Sequence, residues 1–247
     1  MPAFERIENN LWQSHPKAQG PFTGLQGGAV AGLMVSELEQ MAARLELGHA
    51  VSASVEFLRP TRSNPLRTDP EIVRHGRRVS FLSNRVFDRD NCTARATVCF
   101  VQPADMSAIS APDSEPCNPE ALPILPPRKA VHGQPWMMDN FEVRQSQDGI
   151  IWFRYVDEIV DGMMPMARIL GPADWTHGLG RPKSPRLADP NVNLSVVISR
   201  HPVGDQIGIR PNTTWMPTGI GMGDGELLDS HGPFGRVSMA VALMAFG

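Results

Sequence analysis

The stretch Gln26-Gly27-Gly28 followed by AVAGLMVSELEQMAARLEL (residues 29–47) decides the fold. Its large apolar residues recur at steps of three and four, which predicts an α-helix of about five turns. Small residues such as Ala31 and Gly32 lie between them, and Gly48 ends the pattern. We therefore expect a helix that packs closely against other structure on more than one side.

Four segments after this helix have the composition of β-strands: residues 51–58, 70–76, 79–88 and 93–101. Apolar residues alternate in the first and the last of them, which predicts one buried face. The tetrapeptide DRDN at 88–91 predicts a tight hairpin turn. A helix followed by an antiparallel sheet is therefore expected.

A segment with eight prolines, from Pro103 to Pro135, interrupts this pattern and predicts a linker. Beyond it, strands flank a second helix in MMPMARILGPADWTHGL (163–179), which Pro165 and Pro172 interrupt or shorten. The predicted parts are an N-terminal domain of residues 1–103, a linker of 104–135 and a C-terminal domain of 136–247.

The two halves also share short motifs at matching places. Ser54-Val55 precedes Arg59 in the first half, and Ser195-Val196 precedes Arg200 in the second. Matching motifs in the same order indicate an internal duplication.

The last hairpin of each half has a matching pair of charges. Asp88 lies seven residues before Arg95, and Asp229 lies seven residues before Arg236. In the first half we expect Arg95 to pair with Asp88 across the hairpin.

Composition excludes several classes of protein. Hydrophobic residues make up 41% and charged residues 20% of the 247, which is typical of a globular protein. A net charge of -3 argues against a nucleic-acid partner, and no apolar run is long enough for a membrane span. Three cysteines without a CxxC pair, and no signal peptide, favour the cytoplasm. The histidines are scattered, so no metal site is expected.

Positive charge is concentrated in one segment. Between Arg59 and Arg95 there are nine arginines and four acidic residues. The planar guanidinium group suits phosphate. The alternative is an ordinary solvated sheet face with scattered ion pairs.

Several motifs together resemble one family, the acyl-CoA thioesterase II type, whose members are tandem double-hotdog proteins. The motifs are LQGGAVAGLM (25–34), FLRPT (57–61), RHGRRVSF (74–81), GPADWTHGLGR (171–181), RHPVGD (200–205) and LLDSHGPFGR (227–236). The resemblance implies an α+β fold, a long helix wrapped by a curved antiparallel sheet in each half. It also implies that the halves pair, with an acyl-CoA groove between the two helices, and it makes a homo-oligomer plausible.

The resemblance also suggests a catalytic base. Thioester hydrolysis needs a water activated by a base, and donors for the oxygen of the tetrahedral intermediate. In the resembled thioesterases an Asp works with a Ser or Thr hydroxyl and a Gln, and Asp174 falls on the Asp position. His177 lies three residues further on, on the same helical face. The alternative for Asp174 is a cap or turn carboxylate after Pro172.

The two polar partners of that Asp are replaced in this chain. The hydroxyl position reads Asn191-Val192-Asn193, so Asn193 is predicted as the partner, because an amide can also hold a water. The Gln position falls near Met239 or Ala240, and that Gln is absent. Candidates to replace them are the hydroxyl groups and the imidazole of Ser80, Ser83, Thr213, Thr214 and His177.

Donors for the intermediate are expected at the start of the first helix. The N–H groups of Gly27 and Gly28 are not paired within the helix and lie at its positive end, so Gly28 is predicted as a catalytic donor and Gly27 as a substrate contact. The alternative is a tight strand-to-helix turn.

The remaining predicted contacts concern the substrate. Arg59, Arg77 and Arg78 are the candidates for the phosphates of CoA, with Arg200 and His201 as alternatives in the second half; His177 and Thr214 complete the predicted substrate contacts. The predicted activity is hydrolysis of fatty acyl-CoA to free acid and CoA, without a cofactor other than the CoA of the substrate. Alternatives are an acyl-CoA-binding protein with degraded catalysis, and an enoyl-CoA hydratase or dehydratase.

Overall fold

A computed structural model describes residues 1–21, 23–62, 65–110, 114–130, 133–180 and 187–245. Arg181, the last residue of one motif quoted above, lies outside the described residues.

The first half contains one long helix and seven strands. They are β1 (Phe4–Glu8), β2 (Leu11–Ser14), α1 (Gly27–Arg44), β3 (His49–Phe57), β4 (Leu66–Thr68), β5 (Glu71–Arg74), β6 (Val79–Asp88) and β7 (Asn91–Val101).

The second half repeats this arrangement with shorter helices. Its elements are β8 (Phe141–Gln145), β9 (Ile151–Tyr155), α2 (Pro165–Ala173), α3 (Thr176–Leu179), β10 (Leu187–Ala188), β11 (Asn193–Ile198), β12 (Gln206–Trp215), β13 (Ile220–Asp229), β14 (Gly232–Ala242) and β15 (Met244–Ala245).

One antiparallel sheet runs through both halves in the order β1-β2-β4-β6-β7-β3-β11-β14-β13-β12-β9-β8, with β5 also paired to β6 and a separate β10-β15 pair. The halves join where β3 pairs with β11, and Ser54 lies opposite Ser195 there. The repeated Ser-Val dipeptides of the sequence therefore meet at the centre of the sheet.

The helix α1 lies inside the curve of this sheet. Every residue from Gly28 to Glu39 is buried, and the predicted inward faces of β3 and β7 are buried too, including Val55 and Val98. A single hydrophobic cluster runs through both halves. The predicted α+β architecture, a helix wrapped by an antiparallel sheet, is confirmed. Among the described helices, none is long and apolar enough to cross a membrane.

Several strands differ from the sequence prediction. The strands β1, β2 and β4 were not predicted, and β12 continues through Pro211 to Trp215. Proline is tolerated there because β12 pairs with β9 only as far as Ile209, so beyond that point its second edge is outside the ladder.

The second helix is in two pieces. Pro165 is at its first turn, where the missing N–H costs nothing, and Pro172 comes one residue before its end at Ala173. Asp174 is the C-cap, and α3 resumes at Thr176. The two prolines thus place Asp174 at a break between two helical turns.

The segment predicted as a linker is bonded to the second half where it is described. The Cys117 N–H donates to Ser230 O at 3.0 Å, and the Leu125 N–H donates to Val143 O at 2.8 Å. The N-terminal strand also crosses over, because the Phe4 N–H donates to Ile159 O at 2.8 Å. The domain boundaries proposed from sequence therefore stay a prediction.

The predicted Asp88–Arg95 pair is wrong. Arg95 lies opposite Arg85 in the β6-β7 ladder and forms its ion pair with Glu56 of β3. Asp88 instead accepts the Arg62 N–H at 3.3 Å. In this hairpin, Asp88 is paired with Asn91 and Arg95 with Arg85, so residues seven apart in sequence are not opposite each other. The spacing alone did not show which residues are paired.

The start of α2 is capped by a residue of α1. The buried Glu39 carboxylate accepts the Met166 N–H at 3.0 Å and the Ala167 N–H at 2.8 Å. Burial raises the pKa of Glu39 to about 7, although the two N–H donors lower it. Met164, the N-cap residue, makes no side-chain cap of its own, so Glu39 satisfies these orphan donors.

Replacing Glu39 should change how stability depends on pH. Between pH 4.5 and about 7 the folded state keeps a proton that the unfolded chain has released, so wild-type stability falls as pH rises through this window. Glu39→Gln removes that dependence, and wild type should lose up to about 3 kcal/mol relative to the variant.

Urea unfolding at several pH values from 5 to 8 measures this difference. The exposed Glu8→Gln variant is the control and should follow wild type. Parallel pH curves for wild type and Glu39→Gln would show that Glu39 does not titrate in this way.

Candidate active site

Asp174 lies against the first turn of α1, between α2 and α3. The side chain is buried, and the Gly28 N–H donates to its carboxylate. The approach of the helices leaves no room for a side chain at residue 28, because a Cβ there would lie 2.7 Å from Leu170 O and 2.9 Å from Gly171 O. A Cβ on Gly27 would lie 2.9 Å from Asp174 Oδ1. The two glycines therefore permit this contact between the halves.

Two amide side chains complete the donors around Asp174. Gln26, the N-cap of α1, accepts the Ala29 N–H at 2.8 Å through Oε1 and donates from Nε2 to Asp174 Oδ2. Asn191 donates from Nδ2 to Asp174 Oδ1 at 2.7 Å. The carboxylate is thus held by the Gly28 backbone and two side chains from different segments.

The environment makes Asp174 a weaker acid than usual. Burial raises the pKa of Asp174, and this is the largest effect. The charge of His177 and the hydrogen bonds from Asn191, Gly28 and Gln26 lower the pKa but do not cancel it. A carboxylate with a raised pKa is a stronger base than an exposed one.

His177 is held beside Asp174 by a second carboxylate. Its Nδ1 lies 3.0 Å from Asp189 Oδ2, and both side chains are buried. The strand β13 provides space for α3 because Gly223 and Gly225 face it; a Cβ on Gly223 would lie 3.2 Å from the His177 Cβ. The glycines at alternate positions of β13, Gly223 and Gly225, therefore allow His177 to lie close to the sheet.

The structure does not bring the predicted Asn193 to Asp174. Asn193 Oδ1 accepts the Ala240 N–H at 2.7 Å, which holds the start of β11 against β14. Asn191 is the amide that reaches Asp174. Both asparagines lie in the tripeptide that the sequence analysis quoted for this position. How the chain enters β11 decides that Asn191, and not Asn193, faces the helices.

Gln26 is the residue that the sequence reasoning missed. The resemblance places a glutamine near Met239 of β14, but Met239 is buried and packs beside Gly223. The amide comes instead from the start of α1, in the Gln-Gly-Gly sequence already noted for its glycines. Its N-cap position could have been the signal, since a cap side chain lies beside the first N–H groups.

The other suggested replacements lie elsewhere. Ser80 bonds to Gly76, Ser83 donates to Glu71, and Thr213 donates to Gly180 O. The next residue of β12, Thr214, is exposed on the opposite face, because side chains alternate along a strand. The predicted substrate contact by Thr214 therefore gains no support from its position.

The arginines predicted to bind phosphate lie near opposite ends of α1. Arg59 follows β3 near the start of α1, where it donates to Asn91 Oδ1 at 2.9 Å. Arg77 and Arg78 are exposed before β6, whose first residue pairs with Val101 beside the helix end. The 18 residues of α1 span about 27 Å, so Arg77 and Arg78 are not brought together with Asp174.

The alternatives Arg200 and His201 also lie away from the Asp174 site. Arg200 forms a two-point ion pair with the buried Asp229, and His201 stacks on His49 with ring centroids 4.6 Å apart. His49 is the first residue of β3, at the end far from Gly27. Both residues therefore have structural partners at that end of the sheet.

Comparison with known proteins agrees with this architecture. Residues 16–101 match the family described as acyl-CoA thioesterase N-terminal domain. Among curated proteins, none matches the sequence. Two solved structures with the same fold are a conserved hot dog protein from Alicyclobacillus acidocaldarius (18% identity, 98% of this chain and 96% of that one, TM-score 0.75) and acyl-CoA thioesterase II from Mycobacterium marinum (16%, 98% and 96%, 0.70).

A dehydratase domain from the curacin polyketide synthase is also similar, with 13% identity over 85% of this chain and 82% of that one, and a TM-score of 0.55. At such identities the solved structures show the fold alone. The fold is that of a tandem double hotdog, as predicted. The family model matches residues 16–101, in the first half, and the solved structures show the hotdog fold for the chain as a whole.

Replacing Gln26 should weaken both the helix cap and the Asp174 site. Gln26→Met keeps most of the side-chain length but removes the acceptor for Ala29 and the donor to Asp174. We expect a loss of about 1–3 kcal/mol in the free energy of unfolding. Urea denaturation measures it, with the exposed Gln145→Met as the matched control. Equal stability of the two variants would contradict the assigned contacts.

Proposed function

We propose that this protein hydrolyses acyl-CoA thioesters, with Asp174 as the general base. The observation that supports it most directly is a buried carboxylate at the positive end of α1, held by two amide side chains and one backbone N–H. This arrangement joins the two halves at the place where the resembled thioesterases are expected to bind the thioester. The match of residues 16–101 supports the same substrate class.

The chemistry follows from the groups present. One oxygen of Asp174 takes a proton from a water, the water oxygen attacks the thioester carbonyl carbon, and the C–S bond then breaks. The products are the carboxylic acid and CoA as its thiolate, which takes up a proton. The predicted role of Gly28 as a donor to the intermediate is not part of this proposal, because its N–H donates to Asp174 and the second half fills the space beside Gly27 and Gly28.

The two amides have a defined part in this proposal. Gln26 and Asn191 each use an N–H group to fix one oxygen of Asp174. A carboxylate oxygen accepts more than one hydrogen bond, so each can also receive a proton from water. Gln26, from the first half, thus takes the part predicted for a glutamine near Met239 of β14.

Among the predicted arginines, Arg59 is best placed for a phosphate of CoA. The segment that carries it is tied to the approach to α1, because the Leu25 N–H donates to Thr61 O at 2.7 Å. The Arg59 side chain is exposed and donates to the neutral Asn91. We therefore keep Arg59 in the proposal and leave out Arg77 and Arg78.

The test is release of free thiol from a panel of acyl-CoAs of increasing chain length. Asp174→Asn should lower kcat/KM by about 10²–10⁴-fold, the range for loss of a general base. Asp224→Asn is the matched control, because Asp224 lies on the opposite face of β13 from α3, and it should keep wild-type activity.

Three outcomes separate the alternatives. Full activity of Asp174→Asn would move the base to another residue. Binding of acyl-CoA without thiol release would identify a binding protein, and loss of the conjugated double bond of crotonyl-CoA would identify a hydratase.

A further inference from the structure

We propose that the turn between β5 and β6 is a docking surface for a membrane that contains anionic lipids. We call this surface, residues 72–78 with the sequence IVRHGRR, the basic tip. It combines three arginines with two aliphatic residues and contains no acidic residue. The proposal does not depend on the chemistry at Asp174, and it concerns arginines that the proposed active site does not use.

The basic tip lies at an exposed margin of the sheet. In the described part of the chain, β5 pairs with β6 alone, off the path of the other strands. Every residue of the tip except Gly76 is exposed, and Ile72 and Val73 keep 44% and 59% of their surface exposed. A strand that packs only within its own protein usually buries one of its two faces. Both aliphatic side chains are therefore available to a partner.

The arginines of the tip differ from others in the same arginine-rich segment. Arg85 forms an ion pair with Asp69, and Arg95 forms one with Glu56. Among the described residues, no acidic side chain forms such a pair with the three arginines of the tip, which are Arg74, Arg77 and Arg78. Guanidinium groups without a carboxylate partner are suited to phosphate. Ion pairing thus describes Arg85 and Arg95, whereas phosphate binding fits the tip.

The turn holds these charges together in one arrangement. The Gly76 N–H donates to Ser80 Oγ at 3.2 Å, and Ser80 is buried. A Cβ on Gly76 would lie 2.4 Å from Val79 O and 3.5 Å from Arg74 Cζ. The Arg74 guanidinium therefore lies against the turn that carries the other two arginines. Because the turn is already fixed, little conformational entropy is lost when it binds a partner.

The end of α1 extends this surface. The Gln102 N–H donates to Arg78 O at 2.9 Å, and the Gln102 side chain donates to Glu46 O. The residues that end α1 are thus linked to the tip through Gln102. Arg44 and Leu45 are exposed there and add one positive charge and one aliphatic side chain, against the single acidic side chain of Glu46.

The mixture of side chains favours a bilayer over other anionic partners. A free phosphate compound or a nucleic acid would account for the arginines, but not for the exposed Ile72 and Val73. At a bilayer surface, aliphatic side chains enter the apolar region while basic groups meet the phosphates of the lipid headgroups. The net charge of the chain is -3, so the attraction has to be local to the tip.

Sedimentation of the full chain with vesicles tests the charges. We expect binding to vesicles of phosphatidylcholine and phosphatidylglycerol, weakened by salt, and little binding to phosphatidylcholine alone. Arg77→Gln with Arg78→Gln should lower the partition coefficient by about 25-fold, because each basic residue near an anionic bilayer strengthens binding about fivefold. The matched control, Arg128→Gln with Lys129→Gln, removes the same charge from another exposed segment and should bind like wild type.

A second pair of variants tests the aliphatic side chains. Ile72→Thr with Val73→Thr keeps two β-branched residues in the strand and should lower the partition coefficient by about tenfold. Val197→Thr with Ile220→Thr changes two similarly exposed residues elsewhere on the sheet and is the control. Urea unfolding checks that all four variants are folded. Unchanged binding by the Ile72 and Val73 variant would overturn the proposal.

Three other results would also contradict membrane docking. They are equal binding to neutral and anionic vesicles, no binding to either, and binding of free CoA or RNA that requires Arg77 and Arg78 while vesicles stay unbound. The last result would assign the tip to a soluble phosphate compound or a nucleic acid. Since none of these measurements uses thioester hydrolysis, failure here is distinguishable from failure of the proposed function.

Discussion

The structure depends on the antiparallel contact between α1 and α2, each of which presents its positive end to a carboxylate of the other half. The start of α1 meets Asp174, and the start of α2 meets Glu39. In both places an acidic side chain is buried, which would be costly without the helix-end N–H groups that receive it. Small residues allow this approach, since a Cβ on Gly28 would lie 2.7 Å from Leu170 O of α2.

The two ends of the helix pair are related but not equivalent. Glu39 accepts two backbone N–H groups and serves as a cap for α2. Asp174 accepts one backbone N–H and two amide side chains, and has a histidine beside it. The two buried carboxylates therefore differ in their surroundings, since backbone N–H groups hold Glu39 and amide side chains also hold Asp174.

Much of the fold could be predicted because its signals are local. The periodicity of residues 29–47 and the alternation in β3 and β7 correspond to buried faces that one element defines by itself. The first hairpin, β1-β2, gave no such signal, since four of the five residues of β1 are exposed. The duplication could have revealed it, because Phe4-Glu5 of β1 matches Phe141-Glu142 of β8 at the start of each half.

The site was harder to predict because it is made by register and by contacts between the halves. Gly28 and Asp174 could be paired from the resemblance, but Gln26 could not, since its neighbour is 148 positions away. The choice of Asn191 over Asn193 depended on how the chain enters β11. The Arg95 pairing failed for the same reason, since its true partner belongs to the neighbouring strand β3.

Each of the two helices begins at a carboxylate of the other half, and this limits how the chain can be divided into fragments. Cut between the halves, a C-terminal fragment would begin α2 without the Glu39 acceptor, and an N-terminal fragment would expose the β3 edge that now pairs with β11. Unpaired edges and uncapped helices favour aggregation. We therefore expect neither piece to fold on its own, and the chain to be best produced, engineered or fused as one continuous unit.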